Sequence, residues 1–143
     1  MTVPIVGSRL PIRWLGLGLV IVLSGCGRAP SKAEVPGTYL ADYGFATDTL
    51  TIKGDGRFTE TVRVRATGRV VAASGPWSFD PQDHRIGLDG MMIVADYAGR
   101  PVPGFDKTGQ GITSMAVERW FGRLQLGGYP DVPYYKQAGE PPR

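Results

Sequence analysis

The sequence predicts an all-β fold, a small antiparallel meander barrel or sandwich of about seven or eight short strands. Gly and Pro are frequent, with 21 and 12 in 143 residues. They cost about 1 and 3 kcal/mol inside a helix, so long helices are disfavoured. Apolar residues alternate with polar ones at period two between closely spaced turn signals. Five Phe, six Tyr and three Trp provide enough apolar surface for a packed core.

An apolar run near the N-terminus has the layout of a secretory signal. Arg9 and Arg13 precede the uncharged apolar residues 14–23. A membrane-spanning helix needs about 20 such residues, so this run is too short to cross a bilayer stably. A basic start, an apolar stretch of about 7–15 residues and a small-residue exit are typical of a signal peptide. We therefore expect residues 1–25 to be a leader that is removed before the β-domain acts.

The segment Leu23-Ser-Gly-Cys26 resembles the lipobox of bacterial lipoproteins. The resemblance implies that the thiol of Cys26 receives a diacylglyceryl group, that the leader is cut before Cys26, and that the new amino terminus is acylated. Two or more fatty chains anchor a protein stably, whereas one binds marginally. Gly27 in place of Asp implies the outer membrane in the enterobacterial sorting pattern. We expect a lipid-anchored protein on the periplasmic face of the bacterial cell envelope. The alternatives are a secreted protein with a chance Cys and an anchor that is not cleaved.

The residues after the leader divide into a tether and a domain. Residues 26–35 hold the lipidated Cys and a small, polar segment that is typical of a flexible tether, and residues 36–143 form the β-domain. The formal charge of +3 includes Arg9 and Arg13; without them, 14 basic and 13 acidic side chains remain. These charges are scattered along the chain, so a nucleic-acid partner is not expected.

The clearest predicted element is a hairpin over residues 49–65. Its first strand places Leu50 and Ile52 on one face, and its second places Phe58, Val62 and Val64 on one face. The segment Gly54-Asp-Gly56 supplies the positive φ angles that a tight reversal needs. Before this hairpin, Gly37-Thr-Tyr39 opens another strand.

The remaining chain predicts further short strands and turns. In order they are a strand at 69–73, a bend at Gly75-Pro76, a strand at 77–79, a turn at 80–83, a strand at 84–88, a hairpin turn at Asp89-Gly90 and a returning strand at 91–97. Residues 98–111 hold four Gly and two Pro and form the longest predicted loop, where a partner contact is expected. Residues 112–121 fit both a strand and a helical stripe, and their Val, Trp and Phe favour the strand. A strand at 123–126, a turn at 127–131 and a closing strand at 132–136 follow.

The strand-opening motifs resemble those of small lipocalin-like β-barrel lipoproteins. The matching residues are Gly37-Thr-Tyr39, Leu50-Thr-Ile52 with Asp55-Gly-Arg-Phe58, and Gly75-Pro-Trp77-Ser-Phe79. The resemblance covers about residues 36–95 and implies a barrel fold and an envelope location, without a catalytic site. The Gly- and Pro-rich loop at 98–111 departs from that pattern, so barrel and sandwich both stay open.

Catalytic motifs are not evident in the sequence. The one His, His84, lies at a predicted turn and is expected to be exposed to solvent rather than catalytic. One Cys and one His cannot build the zinc sites made from those residues. Carboxylate metal sites stay open on this argument, but no metal or cofactor is assigned. We favour a non-enzymatic protein. The alternatives are an envelope hydrolase that uses Glu60, Asp96 or Asp106, and a structural lipoprotein that assists outer-membrane assembly.

Five residues are candidates for binding, namely Glu60, Arg63, Arg65, Trp77 and Tyr97. Strict alternation places Glu60 on the apolar face of its strand, where it would mark a pocket or pair with an Arg. A barrel rim or local bulge that keeps Glu60 solvated is the favoured interpretation. Arg63 and Arg65 form, with Arg69, a basic cluster on the outer face that would contact anionic head groups or simply be solvated.

These features together predict a membrane-anchored lipoprotein that binds another molecule close to the bilayer. The partner is either an envelope protein, as for an inhibitor or immunity protein, or a small apolar ligand inside the barrel. Tyr129, Tyr134 and Tyr135 could form a recognition surface, but packing at the edge of the core is favoured.

Overall fold

Eight antiparallel strands form a closed barrel in a computed structural model that describes residues 28–107, 112–127 and 132–138. Each strand pairs with the next along the chain, and the last pairs with the first. The strands are β1 (Gly37–Asp42), β2 (Ala46–Ile52), β3 (Arg57–Val64), β4 (Val70–Asp80), β5 (Arg85–Asp89), β6 (Ile112–Trp120), β7 (Arg123–Leu126) and β8 (Tyr134–Lys136). The predicted all-β meander is confirmed, and the barrel rather than the sandwich is the correct form.

The up-and-down order of the strands gives the barrel two distinct ends. We call one the tether end; it carries residues 28–36, 53–56, 81–84, 121–122 and 137–138. We call the other the loop end; it carries residues 43–45, 65–69 and the long β5–β6 connection. The predicted leader, Cys26, loop residues 108–111 and turn residues 128–131, with Tyr129, lie outside the described residues.

Of the two 3-10 helices in the described residues, η1 (Lys32–Glu34) lies at the tether end and η2 (Phe105–Lys107) lies in the β5–β6 connection. The backbone N–H and the hydroxyl of Ser31 both donate to the Glu34 carboxylate at 2.9 Å. Val35 is fully buried, and its carbonyl accepts a hydrogen bond of 2.5 Å from the hydroxyl of Tyr39. The last residues of the predicted tether are therefore part of the packed domain.

The barrel interior is filled by apolar side chains. Inward and outward residues alternate along β2 and β3, as the period-two pattern predicts. The main core contains Tyr39, Leu50, Ile52, Phe58, Trp77, Ile86, Leu88, Val117, Leu124, Leu126 and Tyr134. A small barrel of this size is expected to be packed rather than hollow.

Strand β4 is one continuous element, whereas the sequence predicts two pieces separated by a bend at Gly75-Pro76. Its residues up to Pro76 pair with β3, and its residues from Trp77 pair with β5. The backbone N–H of Trp77 donates to the carbonyl of Gly56 at 2.9 Å. The Gly-Pro pair thus marks the place where the neighbouring strand changes.

The predicted strand at 91–97 is wrong, and so is the hairpin turn at Asp89-Gly90. Gly90 has a φ of 88°, and the chain leaves the sheet there. The following residues make only an isolated bridge between Ala95 and Pro101. Apolar residues of this segment pack in a second cluster at the loop end, formed by Ala46, Val62, Met92, Val94 and Phe105. Their apolar character reflects burial of an irregular segment and not pairing in a sheet.

The ambiguous segment at 112–121 is a strand, as favoured from its composition. It forms β6, which pairs with β5 through Ile112–Ala116 and with β7 through Val117–Trp120. The closing strand β8 is shorter than predicted and covers Tyr134–Lys136. Its pairing with β1 completes the barrel.

Candidate functional site

Two carboxyl groups, those of Asp48 and Glu60, lie side by side inside the barrel. In the β2–β3 register Asp48 pairs with Val62, so Glu60 is its diagonal neighbour on the inward face. Both residues have 0% exposure. The expectation that Glu60 is solvated at a rim or bulge is wrong, because the β2–β3 pairing runs without interruption from Phe58 to Val64. Among the described residues, no Arg forms an ion pair with Glu60.

A chain of hydrogen bonds connects this pair to the surface and to the β5–β6 connection. The backbone N–H of Met92 donates to Oε2 of Glu60 at 2.8 Å. The hydroxyl of Tyr134 donates to Oδ2 of Asp48 at 2.5 Å. The hydroxyl of the half-buried Tyr43 donates to that of Tyr134 at 3.0 Å. These hydrogen bonds thus join β2, β3, β8, the β1–β2 turn and the β5–β6 connection.

The two carboxyls have different pKa values, although burial raises both. Burial and the nearby charge of Asp48 raise the pKa of Glu60 to about 9, although the Met92 N–H acts in the opposite direction. Burial also raises the pKa of Asp48 to about 6, while its hydrogen bonds to Tyr134 and Glu60 lower it. Near neutral pH, Glu60 is therefore protonated and donates to an ionised Asp48. Oδ1 of Asp48 and Oε1 of Glu60 receive no N–H or O–H from the described residues, and a proton between the two carboxyls would satisfy buried oxygens of this kind.

An open cleft of about 930 Å³ lies at the loop end, beside the segment that Glu60 holds. The β1–β2 and β3–β4 turns form one side, and residues 101–107 form the other. Apolar groups of Phe45, Val64, Val102 and Phe105 line it, and Arg65, Arg69 and Lys107 provide positive charge. The guanidinium of Arg69 forms an ion pair with Asp106 and joins the two sides.

The five candidate binding residues are not brought together. Arg65 lines the cleft and also pairs with Asp42 at 2.7 Å. Arg63 is exposed on the outer wall of β3, and Tyr97 is 77% exposed on the β5–β6 connection. Trp77 is buried in the core, and its indole N–H donates to the carbonyl of Lys53 at 2.7 Å.

The three carboxylates of the hydrolase alternative also lie apart. Glu60 is inside the core, Asp96 pairs with Arg100 at 2.8 Å, and Asp106 pairs with Arg69. The carboxyl that does approach Glu60 is Asp48, which is not among the predicted site residues. The same alternation that places Leu50 and Ile52 inward also places Asp48 inward, so the signal was present. His84 is half-buried rather than fully exposed.

Comparison with known proteins adds no relative. No protein family, curated protein or solved structure matches the chain. Within the described part of the chain, no helix is long and apolar enough to span a membrane. The same residues contain no group of three or more His, Cys, Asp or Glu that could hold a metal ion. The resemblance to lipocalin-like lipoproteins therefore stays a prediction.

Loss of the Tyr134 hydroxyl is expected to destabilise the fold. In Tyr134→Phe the ionised Asp48 loses its O–H donor while it stays buried, which costs about 1–3 kcal/mol. The matched control is Tyr135→Phe, because Tyr135 is the adjacent residue and its side chain is 43% exposed. We expect the control to lie within about 0.5 kcal/mol of the wild type in urea unfolding. Equal losses in both variants would contradict the assigned hydrogen bond.

Proposed function

We propose that the protein is a lipid-anchored lipoprotein of the bacterial envelope that binds a protein partner through the loop-end cleft, without enzymatic activity. The observation that carries the proposal is a cleft with apolar walls and a basic rim at the barrel end opposite the tether. Inhibition of an envelope enzyme is one form that this binding could take.

The course of the chain supports the orientation of the cleft. The described chain enters at the tether end, and Arg28 follows Cys26 by two positions. An acylated Cys26 would hold the tether end next to the bilayer. The loop end would then point away from the membrane, toward other proteins of the envelope. The outer-membrane location follows from the lipobox resemblance and is proposed with it.

The chemistry of the cleft favours a partner segment that carries both apolar and acidic side chains. Apolar surface of Phe45 and Val102 would cover a buried side chain. Lys107 would form charge-assisted hydrogen bonds with carboxylates at the rim. A small ligand inside the barrel is less well supported, because core side chains occupy that space.

Site-specific photo-crosslinking in intact host cells tests this proposal. The full chain would carry a photoreactive residue at Pro103 in the cleft or at Thr61 on the outer wall of β3. We expect an adduct of defined mass from Pro103 and none from Thr61. Lys107→Glu should reduce the Pro103 adduct at least about tenfold, because it reverses a rim charge.

A matched charge reversal outside the cleft controls for general electrostatics. Arg63→Glu changes an exposed charge on the barrel wall and is expected to leave the Pro103 adduct unchanged. Cys26→Ser tests the anchor, since the variant should move from the membrane to the soluble fraction. Equal adducts at Pro103 and Thr61, or an adduct that Lys107→Glu does not reduce, would overturn the binding site. A Cys26→Ser protein that stays in the membrane would overturn the anchor.

A further inference from the structure

The turn between β6 and β7 carries an unusual aromatic residue. Trp120 pairs with Arg123, which leaves Phe121 and Gly122 as a two-residue hairpin turn. Their φ angles are 46° and 79°, so both adopt the left-handed region. Turns of this type favour Asn-Gly, and a bulky residue at the first position is strained. A Phe at this position therefore opposes the local backbone preference.

Core packing does not explain this residue. Phe121 is 91% exposed and Trp120 is 60% exposed. Their rings contact each other edge to face, with centroids 5.3 Å apart. Two large apolar side chains thus project together from a strained turn. Strain at an exposed position of this kind points to a binding role rather than to stability of the fold.

The aromatic turn is fastened to the start of the described chain. The guanidinium of Arg119 pairs with Glu34 at 2.8 Å and also donates to the carbonyl of Gly122 at 3.4 Å. Glu34 in turn accepts both hydrogen bonds of Ser31. Ser31 follows Cys26 by five positions, which span at most roughly 18 Å when fully extended. A lipidated Cys26 would therefore keep this turn within reach of the bilayer.

The charge beside the turn matches a lipid head group. A cleft of about 290 Å³ is lined by Arg119, Arg123, Lys136, Glu34 and neighbouring apolar groups. Arg119 is paired with the carboxylate of Glu34, and the ammonium of Lys136 donates to the Glu34 carbonyl, so Arg123 is the exposed basic side chain beside the turn. Bilayer surfaces select Trp at the head-group level and Lys or Arg near lipid phosphates. The combination fits a membrane surface at this end of the barrel.

We propose that the β6–β7 turn is the membrane-contacting element of the domain. Trp120 and Phe121 enter the boundary between head groups and acyl chains, and the exposed Arg123 contacts lipid phosphates. This inference rests on the proposed lipid anchor at Cys26, which supplies proximity. The turn supplies orientation, because it fixes the tether end on the bilayer and directs the cleft outward.

Fluorescence of Trp120 in reconstituted vesicles tests this contact. The purified, acylated full chain with Trp77→Phe is placed in vesicles of zwitterionic and anionic phospholipid with brominated acyl chains. Trp14 is removed with the leader, so Trp120 is then the single Trp. We expect blue-shifted emission and at least a twofold loss of intensity relative to vesicles without bromine. If Trp77→Phe does not fold, the difference between wild type and Trp120→Phe gives the same signal.

A Trp at the opposite end of the barrel is the matched control. Tyr97→Trp, made together with Trp77→Phe and Trp120→Phe, places an exposed indole on the β5–β6 connection. We expect aqueous iodide to quench this Trp and brominated lipid to leave it unchanged.

The possible results separate the contact from the anchor. If the protein stays with the vesicles and Trp120 is quenched by iodide but not by brominated lipid, the membrane contact is overturned. The proposed anchor is then still supported. Shielding of Trp120 from both quenchers would indicate a protein surface on the turn and would also overturn the contact. A chain that lacks acylation and does not remain with the vesicles would overturn the proposed anchor itself.

Discussion

Raising the pH from 6 to 9 is expected to destabilise the folded protein, and Glu60→Gln is expected to remove most of this loss. Burial raises the pKa of Glu60 from 4.5 to about 9, so the folded state holds a proton that the unfolded chain releases above pH 4.5. The stabilisation from the protonated Glu60 carboxyl is fully present below the pKa of Glu60 in the unfolded chain. It is lost as the pH rises through the pKa of Glu60 in the folded state. The free energy of unfolding should fall by up to about 1.4 kcal/mol per pH unit per proton. The pKa of Asp48 is also raised, to about 6, so its ionisation lowers the free energy of unfolding in the same direction but at lower pH.

The Gln substitution keeps the local hydrogen bonds and removes the titration. Its amide can donate to Asp48 and accept from the backbone N–H of Met92, as the protonated carboxyl does. Urea unfolding at pH 5, 6, 7, 8 and 9 would compare the wild type with Glu60→Gln. Glu118→Gln is the matched control, since Glu118 is exposed on β6, and it should keep the wild-type slope. The protonated Glu60 would be contradicted if Glu60→Gln kept the wild-type slope as well.

Gly75→Ala is expected to cost about 3 kcal/mol or more, the upper part of the range for overpacked sites. A Cβ at this buried position would clash with the backbone carbonyl oxygen of Asp89 and approach the ring of Phe58 to 3.0 Å. Because the carbonyl belongs to the main chain, no change of rotamer relieves the clash. The strands would have to separate where β4 changes its neighbour and where Gly90 leads the chain out of the sheet.

The matched control for this substitution is Gly54→Ala. Gly54 lies in the β2–β3 turn, and a Cβ there would meet nothing within 4 Å. Its stability should differ from the wild type by at most about 1 kcal/mol in either direction. Thermal and urea unfolding of both variants measure the difference. Equal stability of Gly75→Ala and Gly54→Ala would show that the β4–β5 contact can relax.

Glu60→Gln and Gly75→Ala act on the same part of the molecule. Gly75 allows the chain to leave the sheet after Asp89, and Glu60 then holds the segment at Met92. That segment continues to residues 101–107, which form one side of the loop-end cleft. The buried carboxyl pair therefore contributes to the position of a surface that we propose binds a partner.

Local patterns predicted the strands well where the relevant contacts are local. The hairpin over 49–65 was correct because alternation and the Gly-rich turn both depend on neighbouring residues. The segment at 91–97 was wrong because its apolar residues pack against distant strands and not against an adjacent one. Glu60 was placed on the correct face by alternation. Its burial was underestimated, because its partners Asp48 and Met92 lie on other segments.

By itself, the sequence determined an all-β chain of short strands that follow each other in a meander, because backbone alternation and turns depend on a few adjacent residues. Only the tertiary structure decided that the barrel closes, through pairing of Leu40 with Tyr135. It also decided that Asp48 and Glu60 are buried side by side and that the β5–β6 connection builds a cleft. Each of these features requires groups from distant parts of the chain to be desolvated together, so their free energy is not contained in any local pattern.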